Sequence, residues 1–315
     1  MTDFQQTLAT ITDYIKADIF PGASLALYDG KAWQEYYQGT QDGCVPVVPG
    51  LTYDLASVSK VVGVGTLCLF YLQADKLDLD EKLSTYYPAV ENKTLTLRQL
   101  LSHSSGIDPF IPNRDELDQE GLIAAINAIK VRDDKPFLYT DINFILLGLM
   151  LEKLSGLSLD KLFDSEVFQP FGMSETQFGQ VGIAVPTVKD IPGGTVHDPK
   201  ARVLKEHTGS AGLFSTLKDL EIFVNHYLTD DFAKNLTKNI SQSKKERSVA
   251  WDLQGDWILH TGYTGTFVLI NIPAQRAAIF LSNRTYYKDE RAQWIKDRDA
   301  LIEIIKEELI SEAVK

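Results

Sequence analysis

Cysteine is scarce in this 315-residue chain: Cys44 and Cys68 are too few for a disulfide framework or a four-cysteine metal site. Two buried free thiols are expected rather than one bridge. Histidine is nearly as sparse, and His103, His197, His207, His226 and His260 show no tight ligand spacing. No metal or cofactor is expected. Positive charge is in deficit, 31 Lys and Arg against 43 Asp and Glu, for a net charge of −12. That balance repels phosphate backbones and anionic lipid, which argues against nucleic-acid or membrane partners. Long apolar runs are missing too. The longest uncharged one, Val61 to Leu72, falls short of a bilayer span. The first twenty residues carry Asp3, Asp13 and Asp18 among Phe4, Leu8, Ile11, Ile15 and Ile19, an amphipathic helix from Met1 to Phe20 rather than an export signal. The expected location is cytoplasmic. Repeats, low-complexity tracts and a clean linker are absent, as are a G-x-S-x-G elbow, a G-x-x-x-x-G-K-[ST] loop and an H-E-x-x-H pair.

What is present is ordinary globular composition, 44% apolar and 23% charged. Strand-like runs Gly22 to Tyr28 and Ala32 to Tyr37 meet through Asp29-Gly30, a hairpin signal. Helical spacing marks Ser57 to Gln73, Leu95 to Ser102, Gly121 to Lys130, Asn143 to Leu154 and Leu159 to Phe168. Pro186, Pro192, Gly193-Gly194 and Pro199 mark an irregular connection. Short strands then follow at Ser248 to Leu253, Trp257 to Thr261, Thr266 to Ile272 and Ala277 to Leu281, before a final helix from about Asp289 to Val314. Strands at both ends with helices between imply an α+β fold whose sheet is drawn from the two ends of the chain.

A Ser-x-x-Lys pair occurs at Ser57/Lys60, Ser158/Lys161, Ser215/Lys218 and Ser241/Lys244, so the pair alone carries no weight. Ser241 lies in a charged stretch, Ser158 looks like a helix start, and Ser215 precedes the capping pattern Thr216-x-x-Asp219. Only Ser57 leads into an apolar helix, Val61 to Leu67, and there positions i and i+3 share a face. A lysine held beside the hydroxyl in low dielectric would have a depressed pKa and could accept the serine proton. A capping serine with a snorkelling lysine accounts for these residues equally well. Other segments decide.

Tyr139-Thr140-Asp141 and His260-Thr261-Gly262-Tyr263 follow Ser57-Val58-Ser59-Lys60 in order, and Leu100-Leu101-Ser102-His103-Ser104-Ser105-Gly106 matches an L-L-x-H-x-S-G signature. Together these motifs resemble the serine β-lactamase and penicillin-binding-protein superfamily, in its class C β-lactamase, DD-peptidase and esterase branch. The resemblance spans about residues 20 to 285. It implies a β-lactamase/transpeptidase-like fold, with residues 1–76 and 200–315 forming the sheet domain, 77–199 a mainly helical domain, and the site at their interface.

By resemblance, Ser57 is the nucleophile, Lys60 its proton acceptor or electrostatic partner, and Tyr139 the second proton handler. Ser57 N–H and Tyr263 N–H would form the oxyanion hole, with Gly262 letting the strand approach the substrate. Asp141, Asn143, His260 and Thr261 complete the expected substrate-binding set. Two departures stand out. Asp141 replaces the usual Asn and, ionised, cannot donate a hydrogen bond, so Asn143 is a candidate to supply the amide. His260 replaces a frequent Lys and is expected to be only partly charged near pH 7. His103 is read as buried and structural, and His197 and Asp198 as loop residues outside the catalytic set. The expected activity is hydrolysis of a small-molecule ester or amide through an acyl-enzyme. A DD-carboxypeptidase or weak β-lactamase acting on β-lactams is the alternative, and a non-catalytic binding protein the third reading.

Overall fold

Period-two alternation at both ends of the chain places apolar side chains on each set of alternate positions, the pattern of a sheet covered on both faces. The computed structural model describes residues 4–179 and 181–311. In it β1 (Gly22–Tyr28) and β2 (Trp33–Gly39) come from the N-terminal part of the chain. Then β3 (Thr52–Asp54), β4 (Gln177–Phe178) and β5 (Leu213–Thr216) form a small antiparallel sheet in the order β3-β5-β4. β6 (Asp252–Gln254), β7 (Trp257–Thr261), β8 (Phe267–Asn271) and β9 (Arg276–Ser282) follow. The main sheet is antiparallel with six strands, β2-β1-β9-β8-β7-β6, so β1 from one end of the chain pairs with β9 from the other.

On one face Leu25, Leu269 and Phe280 pack with Phe4, Phe20, Trp294 and Ile305 of the terminal segments. On the other, Ala26, Val268, Ile270 and Ile279 join the large core built with the central helices. Each large side chain removed from water contributes about 1.5–3 kcal/mol. The helices Gln5–Lys16 and Arg291–Ser311 cover the first face. The N-terminal helix has no cap of its own at Phe4. The Glu308 carboxylate serves instead, accepting from Gln6 N–H and Thr7 N–H at 3.0 Å and from Thr7 Oγ1 at 2.6 Å.

The expected α+β, β-lactamase/transpeptidase-like architecture is present, and β1 and β7 keep their expected bounds. Several local expectations shift. The strand expected at Ser248 to Leu253 is mostly turn, because Ala250 takes φ +69° and breaks the extended run before Asp252. The first helix stops at Lys16, with Asp18 at φ +54°, and Met1 lies outside the described residues, as does Val314 at the far end of the last helix. Cys68 is buried and free, but Cys44 is free and exposed. β4, from the stretch 77–199, pairs with β5, from the stretch 200–315.

The Ser57 segment begins as a 3₁₀ turn, Ala56–Val58, passes through a π turn, Val61–Gly65, and ends as an α-helix, Thr66–Gln73. The whole run from Ala56 to Gln73 is long and apolar enough to cross a membrane by length and composition, whereas Val61 to Leu72 alone is not. It is 78% buried within the protein, as a core helix is. The helix Asp141–Ser155 lies against it. Gly209 then packs its backbone on that helix: a Cβ there would stand 2.2 Å from Phe144 O and 3.1 Å from the Gly148 Cα. Gly209→Ala is expected to lower stability by about 1–3 kcal/mol through overpacking. Urea titration would read this as a lower midpoint at unchanged slope.

Candidate active site

A polar turn between β3 and the buried helix fixes Ser57. Ala56 adopts φ +46°, a left-handed conformation that costs an alanine about 1–2 kcal/mol and so has to be held by its surroundings. Asp54 holds it. One carboxylate oxygen accepts from Ala56 N–H at 2.8 Å and the other from His197 N–H at 2.7 Å. Thr264 Oγ1 donates to Asp54 O and Thr266 Oγ1 to Leu55 O, both at 3.0 Å, tying the β7–β8 connection to the same turn. Gly262 makes that contact fit, since a Cβ would lie 2.1 Å from Thr266 Oγ1 and 2.7 Å from Leu55 O. The close approach it permits is therefore to the nucleophile turn.

Lys60 is 0% exposed and has an acceptor for each of its three N–H bonds: Ser57 Oγ, Asp141 Oδ1 and Ser210 O, each at 2.8 Å. Burial works against its charge, but the Asp141 carboxylate and then Tyr139 outweigh it, and the pKa of Lys60 is raised. The lysine with a depressed pKa expected from burial alone is thus corrected by its partner. Asp141 begins the helix Asp141–Ser155, where a carboxylate complements the helix dipole. Despite burial, Lys60 and Lys200 hold its pKa far below the usual carboxylate range. Its second oxygen, Oδ2, lies 2.9 Å from Lys200 Nζ, and Lys200 reaches Asp198 at 3.2 Å. Lysines and carboxylates therefore alternate from Ser57 outward: Lys60, Asp141, Lys200, Asp198.

Tyr139 sits across from Lys60, whose Nζ is 5.2 Å from its ring centroid. His103 positions it. The imidazole stacks on Tyr139 with centroids 4.4 Å apart, and His103 O accepts from Leu138 N–H at 2.9 Å. Asn143 Nδ2 donates to His103 Nδ1 at 2.9 Å, while Asn143 Oδ1 accepts from Ser105 Oγ at 2.7 Å. Asn143 is fully buried in this bracket and does not reach the cleft, so it is not the substitute amide expected from the sequence. Burial, with Arg247 and Lys60 nearby, holds His103 neutral.

Ser57, Tyr139, Asp141 and Tyr263 line one cavity of about 480 Å³. His260 and Thr261 line a different one, about 290 Å³, with Tyr139 on the border of both. His260 is buried, and burial together with the charges of Lys60 and Arg247 lowers its pKa well below the ordinary value. It is neutral, not partly charged as expected. Thr261 Oγ1 accepts from Arg298 at 3.3 Å. Tyr263 hydrogen-bonds Asp289 through its hydroxyl, its carbonyl accepts from Arg284 Nε at 2.8 Å, and its ring faces His197 at 5.5 Å. The 480 Å³ cavity is also lined by Arg114, His197, Asp198, Lys200, Asp289 and Arg291. Of these the sequence reading singled out only His197 and Asp198, as loop residues. The others follow no local motif. The other Ser-x-x-Lys pairs stay structural: Ser158 is a helix N-cap residue, and Thr216 after Ser215 caps the helix Leu217–Thr229 by accepting from Asp219 N–H.

The family model described as Beta-lactamase matches residues 8–302 of this chain. A putative D-alanyl-D-alanine carboxypeptidase of Escherichia coli (strain K12) is 24% identical, over 81% of this chain and 75% of the relative. Protein flp of Staphylococcus aureus (strain COL) is 25% identical, over 89% of this chain and 63% of the relative. Among solved structures, EstCE1, described as a hydrolase with promiscuous acyltransferase activity, superposes with a TM-score of 0.78 at 17% identity, covering 94% of this chain and 97% of EstCE1. A class C beta lactamase from Rhodobacter sphaeroides gives 0.71 at 18%, covering 94% and 99%. At these identities the structural likeness establishes the fold.

Two predictions follow from the buried ionisable groups. The His260 imidazole is expected to show no titration between pH 6 and 8 by NMR, and a midpoint near 6.5 would contradict its burial. Burial, against the hydrogen bonds from His197 and Ala56, raises the Asp54 pKa to about 6. Its contribution to stability is therefore full below the ordinary carboxylate pKa and is lost as pH rises through about 6. Unfolding midpoints in urea from pH 4.5 to 7.5 should fall more steeply for the wild type than for Asp54→Asn.

Proposed function

The chain belongs to the β-lactamase family, and we propose that it is a serine hydrolase that cleaves a small ester or amide through an acyl-enzyme. The observation that carries the reading is the Lys60 ammonium 2.8 Å from Ser57 Oγ, at the edge of a cavity of about 480 Å³ that Tyr139 also lines. An ammonium with all three protons engaged stabilises a developing alkoxide but has no lone pair to take the serine proton. Lys60 is therefore the electrostatic partner in this proposal, and Tyr139, in its phenolate form, receives the Ser57 proton and gives it to the leaving group. Ser57 N–H and Tyr263 N–H form the oxyanion hole, their spacing set by the threonine ties between the two turns. Water then hydrolyses the acyl-Ser57 ester by the same proton path in reverse.

The sheet domain, residues 1–76 and 200–315, and the helical domain, 77–199, meet at this cleft in the same reading. A carboxypeptidase activity on a D-alanyl peptide is the second reading, supported by what the Escherichia coli relatives are named. A cytoplasmic location belongs to the proposal as well, and the free thiols of Cys44 and Cys68 suit a reducing compartment.

Ser57→Ala is expected to abolish hydrolysis of a short-chain 4-nitrophenyl ester, and equal rates from wild type and variant would remove Ser57 from the mechanism. Tyr139→Phe should lower kcat by about 10²–10⁴-fold, the range for loss of a general acid–base group. A mass gain on Ser57 with benzylpenicillin, lost in Ser57→Ala, would favour the carboxypeptidase reading.

A further inference from the structure

The carboxylates around the cavity are already matched by cations. Asp141 gives one oxygen to Lys60 and the other to Lys200. Asp198 accepts from Ala201 N–H at 2.8 Å as the cap of the helix Pro199–Leu204 and pairs with Lys200. Asp289 is held by Arg284 and the Tyr263 hydroxyl. The lining cations are matched in turn, with one exception. Lys200, Arg114 and Arg291 line the cavity. Lys200 has Asp141 and Asp198, and Arg114 has Asp115 at 2.8 Å. Among the described residues Arg291 pairs with no carboxylate, and its guanidinium carbon lies 5.8 Å from the Tyr263 ring.

Lys200 is the best-built of these cations. It is the second residue of a capped helix, its side chain is only 15% exposed, and two carboxylates hold its ammonium in place. Of its three N–H donors, Asp141 and Asp198 occupy two. The third remains for a ligand in the cavity. Asp141 beside it has no proton to offer. A group docking on this wall must therefore be an acceptor, and the unpaired charge of Arg291 on the same cavity favours an anionic one. Ser57 and Tyr263, the nucleophile and oxyanion-hole residue of the reading above, line the 480 Å³ cavity with Lys200, and of the three reacting residues Tyr139 alone borders the second, so the acyl part is assigned to the first.

We propose that Lys200 determines specificity by binding a carboxylate on the acyl part of the substrate, so that the preferred esters or amides are those of dicarboxylic or similarly acidic acyl groups. This rests on the serine hydrolase reading above. The test compares the 4-nitrophenyl monoester of adipic acid with 4-nitrophenyl hexanoate, two acyl chains of equal length that differ in the terminal carboxylate. The wild type is expected to prefer the monoadipate by tenfold or more in kcat/KM, mostly through KM, as a charge-assisted hydrogen bond implies. Lys200→Met should reduce that ratio by about tenfold, whatever happens to the absolute rates, and Lys200→Arg should keep most of it. A wild-type ratio near one, or a ratio that survives in Lys200→Met while both rates fall together, would overturn the proposal. If wild type and Ser57→Ala hydrolyse neither ester differently, the hydrolase reading is what fails. The Lys200 site is then judged by binding: adipate should raise the melting temperature of Ser57→Ala but not of Ser57→Ala/Lys200→Met, and equal shifts would reject it.

Discussion

The ammonium of Lys60 is the constraint around which the site is organised. Removing such a charge from water costs several kcal/mol, and in a fully buried position that cost is offset only by good geometry and complete hydrogen bonding. Lys60 has both, and its three acceptors come from three separate parts of the chain: its own helical segment, the start of the helix Asp141–Ser155, and the backbone at Ser210. Placing the lysine thus places the other two elements. The packing of Gly209 on Phe144 and Gly148 belongs to the same arrangement, because it sets how closely the Ser210 carbonyl approaches. Loss of any one acceptor leaves a buried charge without its compensation, so folding and chemistry are joined at this atom.

The carboxylate at position 141 gains its physical sense from Lys200. With a neutral amide at 141, two ammonium groups would face each other across it without an intervening anion. With Asp141 between them, each lysine has an opposite charge within 3 Å and both stay protonated. The departure at Asp141 and the cation at 200 are one feature, written in two places about sixty residues apart in the chain. In the proposed mechanism proton transfer is divided accordingly: a lysine held charged in this way supplies field, and the exchangeable proton is left to Tyr139, on whose ring His103 stacks.

What could be read from the sequence was what local periodicity and ordered motifs encode. The alternating strands of β1 and β7 were legible because each carries its own pattern, whereas β3 and β5, three and four residues long, take their conformation from each other. The ionisation of Lys60 was misread because burial was weighed without a partner. Two placements follow from periodicity. Asn143 is two residues beyond Asp141 on one helix, about 200° around it, and so faces the core rather than the cleft. His260 alternates with Leu259 and Thr261 on β7, and shares the face of Ile258 that packs on the central core. Lys200, Arg114 and Arg291 offered no such handle, since tertiary structure alone collects loop and helix-end residues around one cavity.

The division between those two classes of residue carries a functional consequence. The reacting groups sit on elements locked by backbone bonds and buried hydroxyls: the Ala56 turn held by Asp54, the β7–β8 connection tied by Thr264 and Thr266, and Tyr139 braced by His103 and Asn143. Substitution there disturbs geometry that catalysis needs to within a fraction of an ångström. The groups that line the rest of the cavity come from separate surface segments, around Pro109 to Arg114, His197 to Lys200 and Asp289 to Arg291. These carry few of the ties that hold Ser57, apart from His197 N–H on Asp54, Lys200 on Asp141 and Asp289 on Tyr263 and Arg284. In the proposed hydrolase the same frame accepts different acyl groups by changing residues in those segments, and the points where they touch the frame are where a change of specificity would also alter rate.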